Sequence, residues 1–362
     1  MISFSFIIFI FNFVLAYKFY GSTRKSSRED SDENLDRRFQ KSVHSVRKFP
    51  YRELVAATEN FSEVIGQGGS GSVYRGTLSG TNEVVAVKRI KANSDEGKKE
   101  YEAEVIINGN ILHRNLVKFL GWCHHKDKLF LVYEFLPKRS LDKYIFGKPE
   151  YHLDWDNRYR ITSEIASVLY YLHAHSPKSV VHRDIKASNV MLDSDFTAKL
   201  GDFGLARALK DEFKEYTTCP AGTIGYLAPE TLTTGKASRE SDMYSFGALA
   251  LAISCGRPPA DDRLDKYSCS LVKWVWHCKI EGRIIDAADE KFDGNFNVEQ
   301  MERLMSVGLL CCHPEPKERP PIEQVMAMLK TTAELSPIPH ALYGEPIQLE
   351  VGLPSVETSD AI

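Results

Sequence analysis

The sequence predicts an α+β chain in which a small β-rich part precedes a larger helical part, and three observations carry that prediction. Two short β-branched and aromatic runs, "VVAVKRI" (Val84 to Ile90) and "KLFLVYEF" (Lys128 to Phe135), lie in the first third and have the length and composition of strands. Ahead of them a glycine run, "IGQGGSGSV" (Ile65 to Val73), leads into "SVYRGTLSGTNEVVAVKRI", where a Ser-Gly-Thr-Asn turn joins two strand-like runs. Further along, Ile161, Ile165, Val168, Leu169 and Leu172 recur at steps of three and four, the period of a buried amphipathic helix. With 362 residues, 43% apolar and 26% charged, the chain is long enough for one large domain or two lobes.

In chain order, residues 1–17 come first, "MISFSFIIFIFNFVLAY", uncharged and crowded with Phe and Ile. Their length is the lower limit for crossing a bilayer core. Lys18, Arg24, Lys25 and Arg28 follow, which puts the C-terminal flank in the cytosol by the positive-inside rule. A signal anchor is therefore expected. A cleaved signal peptide is the alternative, but it lacks a basic leading region and good cleavage spacing. Residues 18–48 are Ser-rich and charged and read as a juxtamembrane linker that buries too little surface to order itself. The folded domain is expected over 49–335, and the Pro-rich residues 336–362 as a disordered tail.

Composition excludes several function classes. A net charge of −3 gives no electrostatic footprint for nucleic acid. Seven cysteines at irregular positions, with no C-x-x-C pair, suggest thiols in a reducing compartment rather than a disulfide framework. Cys311, Cys312 and His313 are adjacent in sequence and converge poorly on one metal, so core packing is the expected role.

The glycine spacing alone fits either a dinucleotide or ATP. A dinucleotide fold would need a helix after the glycines. Here the chain turns into a second strand ending in Lys88, which favours a phosphate-covering hairpin with a cation beside it. Farther on come His182-Arg183-Asp184, Lys186 and Asn189, then Asp202-Phe203-Gly204, then Ala228-Pro229-Glu230. In this order and at these separations the set resembles the eukaryotic protein kinases, from about Phe61 to Leu335.

That resemblance implies a bilobal kinase fold, with an N-lobe over about 61–136 and a C-lobe over about 137–335. It implies ATP and Mg²⁺, with Mn²⁺ as a substitute. Ile65, Gly66, Gln67, Gly68, Gly69, Ser70, Gly71, Ser72 and Val73 would cover the nucleotide. Ala86 and Met191 would sandwich adenine beside Tyr133, and the hinge Glu134-Phe135-Leu136 would bond it. Lys88 would contact the phosphates and pair with a helix carboxylate, Glu104 ahead of Glu100 and Glu102. Asn189 and Asp202 would hold the metal, and Asp184 would accept the substrate proton. Lys186 and Thr223 resemble Ser/Thr kinases. Arg183 calls for an activation-segment phosphate, with Thr217 and Thr218 as candidates ahead of Tyr216 and Thr223. Glu230 and Arg319 resemble a buried ion pair, and His182 and Phe203 parts of a packed column.

"FPYRELVAATENFSEVIGQGGSGSVYRGTL", "HRNLVKFLGWC" and "TTCPAGTIGYLAPE" look like the plant receptor-like kinases, the last two most like the L-type lectin-domain receptor kinases. Such a family implies a plasma-membrane, single-pass protein with a cytosolic Ser/Thr kinase acting in defence or stress signalling. No lectin-like residues precede the apolar segment, so a carbohydrate ligand rests on family analogy alone; protein substrates and co-receptors are not legible. One departure stands out. Four residues after Glu104 the family places an apolar side chain, and this chain has Asn108. An unpartnered amide there would loosen the active arrangement, unless the helix shifts to turn Ile107 inward. An inactive kinase-fold scaffold and a soluble cytoplasmic kinase are the alternative readings.

Overall fold

The computed structural model describes residues 35–43, 46–69, 71–91, 95–148, 152–208, 216–217, 222–260 and 270–331. The expected anchor at 1–17 and the tail at 336–362 lie outside them. Among the described residues no helix is long and apolar enough to cross a membrane.

Two parts are observed in the expected order. The first opens with helix α1 (35–42), strand β1 (Arg47–Lys48) and helix α2 (Tyr51–Ala57). Strands β2 (Val64–Gln67), β3 (Gly71–Thr77) and β4 (Val84–Ile90) follow, then helix α3 (Asp95–Asn108) and strands β5 (Phe119–His125) and β6 (Lys128–Glu134). The six strands form one sheet in the order β1-β5-β6-β4-β3-β2, antiparallel except where β1 runs parallel to β5. Alternation sets its two faces. Val85, Val87, Phe130 and Val132 pack outward with Phe49 and Leu54, under α2, while Ile90, Leu129, Leu131 and Tyr133 pack toward α3 with Tyr101 and Val105. Lys88 is two residues before Ile90, so it shares the α3 face.

The linker expectation fails for residues 35–43 and 46–48. Leu35, Phe39 and Val43 recur every four residues, and once α1 forms they make one apolar stripe in an otherwise charged segment. Phe39 and Val43 are buried in the α3-side cluster.

The helical part contains α4 (Asp142–Ile145) and α5 (Trp155–Tyr170), the latter continued by a wider turn over Tyr171–His175. Short strands β7 (Val180–Val181), β8 (Val190–Leu192), β9 (Ala198–Leu200), β10 (Arg207–Ala208), β11 (Tyr216–Thr217) and β12 (Lys236–Ala237) frame the cleft, with α6 (Pro229–Thr234) between the last two. Helices α7 (Arg239–Cys255), α8 (Leu271–Ile280), α9 (Val298–Cys311) and α10 (Ile322–Lys330) complete the core. α7 is started by a reciprocal Ser238–Ser241 cap and is buried along nearly its whole length. It meets α9 through two glycines, because a Cβ on Gly247 would lie 2.6 Å from the Gly308 carbonyl oxygen. Cys311 and Cys312 lie in this core.

Candidate active site

The glycine run is the β2–β3 hairpin. Gly66 and Gln67 pair with Val73 and Ser72, and the Gly68 amide donates to the Gly71 carbonyl at 2.9 Å. Gly71 has φ 153°, and a Cβ there would lie 1.9 Å from the Arg89 carbonyl oxygen, so no other residue fits. Cβ atoms on Gly68 and Gly69 would meet nothing within 4 Å, which leaves their backbone open to a ligand. Ser70 lies outside the described residues. Val73 faces Lys88 in the β3–β4 register and Ala86 faces Tyr133 in the β4–β6 register. Glu134 ends β6, Leu136 is buried just beyond it, and Met191 lies at the centre of β8.

Lys88 is the electrostatic centre of the upper half. Its Nζ donates to both Glu104 oxygens, at 2.9 and 3.1 Å, and to Asp202 Oδ1 at 2.7 Å. Glu102 instead turns out to Arg38, at 3.0 Å. Burial alone would lower the Lys88 ammonium's pKa, but Asp202 and Glu104 outweigh it and raise it. One ammonium cannot balance two carboxylates equally. Asp202 is held below its ordinary value, Lys88 overcoming the effect of burial, while fully buried Glu104 is pushed up to about 7 by desolvation despite Lys88.

Asn108 corrects the sequence reading. Its amide is buried but not unpartnered: Nδ2 donates to the Tyr133 hydroxyl at 3.3 Å, and that hydroxyl reaches Glu104 Oε1 at 3.1 Å. Ile107 packs with the core of the helical part. Asn108, Tyr133, Glu104, Lys88 and Asp202 thus form one continuous polar chain.

The lower half centres on Asp184. Lys186 Nζ donates to its Oδ2 at 2.6 Å, Asn189 Nδ2 to the same oxygen at 3.0 Å, and Thr223 Oγ1 to Oδ1 at 2.9 Å. Lys186 also donates to Thr223 at 2.7 Å, which leaves the threonine proton for Asp184. His182 Nδ1 accepts from the Asp184 amide, so its Nε2 carries the proton and donates to the Gly201 carbonyl at 3.1 Å. Burial lowers the His182 pKa and keeps the ring neutral, stacked obliquely on Phe203 at 4.6 Å. Arg183 and Asp202 both hold left-handed backbone, φ 72° and 63°, a conformation kept only where neighbours enforce it.

The neighbour that holds Arg183 is not legible in the sequence. Asp242, in the first turn of α7 and without exposed surface, accepts from the His182 amide at 2.8 Å, the Arg183 amide at 2.9 Å and His173 Nε2 at 3.0 Å. The available signal was an acid heading the apolar run "MYSFGALALAISC".

Arg319 binds Glu230 through two contacts, 2.6 and 2.8 Å, and spends its other donors on the carbonyls of His313, Glu240 and Pro314. Thr217 pairs through its backbone with Lys236, and Thr218 lies outside the described residues. A cavity of about 640 Å³ behind the hinge, lined by Asn110, His113, Lys118 and Lys199, contains neither Lys88 nor Asp184.

Residues 60–329 match the protein kinase domain family. Among curated proteins the chain is similar to L-type lectin-domain containing receptor kinase IX.1 of Arabidopsis thaliana, 48% identical over 81% of this chain and 45% of the relative. The probable L-type lectin-domain containing receptor kinase S.7 of the same plant is 45% identical over 82% of this chain and 44% of the relative. The chain spans less than half the length of these two relatives.

Proposed function

The chain belongs to the protein kinase family, and we propose that it transfers the γ-phosphoryl group of ATP to Ser and Thr hydroxyls of proteins, itself included. The observation that carries this reading is the pair of polar clusters, Lys88–Glu104–Asp202 and Asp184–Lys186–Thr223, each bonded within itself. Phosphoryl transfer needs positioned cations, donors and one proton acceptor more than it needs covalent chemistry.

In this mechanism the Gly68 and Gly69 backbone and Lys88 hold the phosphates, and Ala86, Met191 and the hinge residues Glu134 and Leu136 hold adenine. Asp184 Oδ1 or Oδ2 takes the proton of the attacking hydroxyl. Lys186, already within 2.6 Å of Asp184, sets a positive charge where the moving group becomes most negative. Thr223 fixes the carboxylate plane, and its contact with Lys186 supports Ser/Thr over Tyr specificity. The donor set also suits Mg²⁺, a hard cation content with one carboxylate, a carbonyl oxygen and phosphate oxygens. Asp202 would supply the carboxylate, and Asn189, whose Nδ2 is engaged by Asp184, would supply the amide oxygen. The metal would neutralise phosphate charge.

The test is incubation with ATP labelled at the γ position, comparing wild type with Asp184→Asn, followed by phosphoamino-acid analysis. Phosphoserine and phosphothreonine are expected from wild type only. Equal labelling of both proteins, or phosphotyrosine alone, would sink the reading.

Membrane attachment through residues 1–17 and a receptor-type signalling role belong to the same proposal. The uncharged apolar run and the names of the relatives support them. A tagged full chain should stay in a carbonate-washed membrane pellet, and its release into the supernatant would remove the anchor.

A further inference from the structure

Residues 35–43 and 46–48 precede the family match, which begins at residue 60, yet they contact the second half of α3 and the turn that follows it. Phe39 has no exposed surface. Its ring meets Tyr101 of α3 edge-on at 5.8 Å and Trp122 of β5 at 5.5 Å. One turn later Val43 closes over the end of the helix, so tightly that a Cβ on Gly109 would lie 2.2 Å from its side chain. Arg38 pairs with Glu102, and the Ser42 carbonyl accepts from Asn110 Nδ2 at 2.8 Å. β1 then fixes the segment to the sheet, beside Gly121 and Trp122.

The sequence of α3 explains why such a grip matters. "DEGKKEYEAEVIIN" is half charged, and its buried apolar side chains are Tyr101, Val105 and Ile107. Tyr101 and Val105 belong to the cluster that Phe39 and Val43 complete. These two residues bracket Glu104, so a shift of the cluster moves the carboxylate that orients Lys88. We propose that helix α1 and strand β1, residues 35–43 and 46–48, are a positioning clamp for α3, with Phe39 the positioning residue that keeps Glu104 within reach of Lys88. The proposal rests on the phosphoryl-transfer reading above. It makes the segment that leads toward the N-terminus a control point for that reaction.

The experiment uses the full chain carrying Phe39→Ala or Phe39→Leu, assayed on a generic basic protein substrate, with amide hydrogen exchange followed across the molecule. Phe39→Ala should lower kcat about tenfold, a typical coupling between distant sites, with KM for ATP within about twofold of wild type. Amides of α3 should exchange faster while those of α5 and α7 keep their protection, and Phe39→Leu should recover most of the loss. Unchanged kcat and unchanged α3 exchange would overturn the clamp. So would a uniform loss of protection in both parts, the mark of general packing alone. Should Phe39→Ala not fold, the milder Val43→Ala decides by the same two readouts. If wild type itself transfers no phosphate, the reaction reading fails, and the exchange comparison still decides whether Phe39 holds α3.

Discussion

Asp184 and Glu104 each centre one polar cluster of the site, and they are held in opposite ways. Asp184 belongs to a loop whose amides at His182 and Arg183 are tied to Asp242 on the deeply buried helix α7, and its carboxylate receives three side-chain donors. Glu104 stands in the middle of a charged helix. Its position depends on Lys88, on Tyr133, and on an apolar cluster completed from a separate part of the chain, residues 35–43 and 46–48. The lower half of the site is built into its core, whereas the upper half is assembled from parts that can separate. On the clamp proposal, the Asp184 loop stays preorganised while α3 is the part through which the reaction would be switched.

The largest break in this comparison comes from the lower half. Asp242→Ala removes one acceptor from three buried donors at once, and each buried donor left unpaired costs about 1–3 kcal/mol. Arg183 also loses the restraint on its left-handed backbone. Urea denaturation should show that loss, and kcat should fall by roughly two orders of magnitude as Asp184 loses its placement. A variant with wild-type stability and activity would show that the loop is held by other means.

Glu104 gives an effect of middle size, read through pH. In the folded protein its carboxyl is pushed up to about 7, while the unfolded chain titrates near 4.5. The folded state therefore binds a proton that the unfolded state lacks throughout that window. Its contribution to stability is fully present below about 4.5 and is lost as pH rises through about 7. Glu104→Gln has no such titration, and the lowered His182 pKa contributes to both proteins alike. Unfolding free energies measured from pH 5 to 8 should thus shift in favour of Glu104→Gln as pH rises, by on the order of 1–3 kcal/mol. A constant difference would mean that Lys88 keeps Glu104 ionised.

The same contrast decides what could be read from sequence. His182 to Asn189 are local, so their spacing carries the loop, and Lys88 follows from strand alternation. Glu104 needed three-dimensional choice among neighbouring acids, and Glu102 turned outward to Arg38. Asp242 was hidden because nothing in a sequence distinguishes a buried acid that collects backbone amides from one that caps a helix. Phe39 was hidden by its surroundings: the four-residue stripe of Leu35, Phe39 and Val43 was present, but the charge around it read as a solvated linker. Asn108 was noticed as a departure, and its partner was not, because Tyr133 reaches it from a strand 25 residues away.

Asn108 and Tyr133 provide the smallest effect and the sharpest sign. In wild type, Asn108→Ile removes one donor to the Tyr133 hydroxyl, which still has Glu104 to bond, so no polar group is stranded. The cost should be about 0.5–1.5 kcal/mol, partly offset by the added apolar surface. Tyr133 loses some of its orientation toward Glu104, and kcat should drop about two- to fivefold. Tyr133→Phe is different, because it leaves the buried Asn108 amide facing a ring. In that background the same Asn108→Ile change replaces a stranded donor with a methyl group and should stabilise the protein. The double-mutant cycle therefore predicts a reversal of sign, destabilising with tyrosine and stabilising with phenylalanine. If Asn108→Ile instead raises activity in the wild-type background, the amide loosens α3 and the polar chain from Asn108 to Asp202 does not act as a unit.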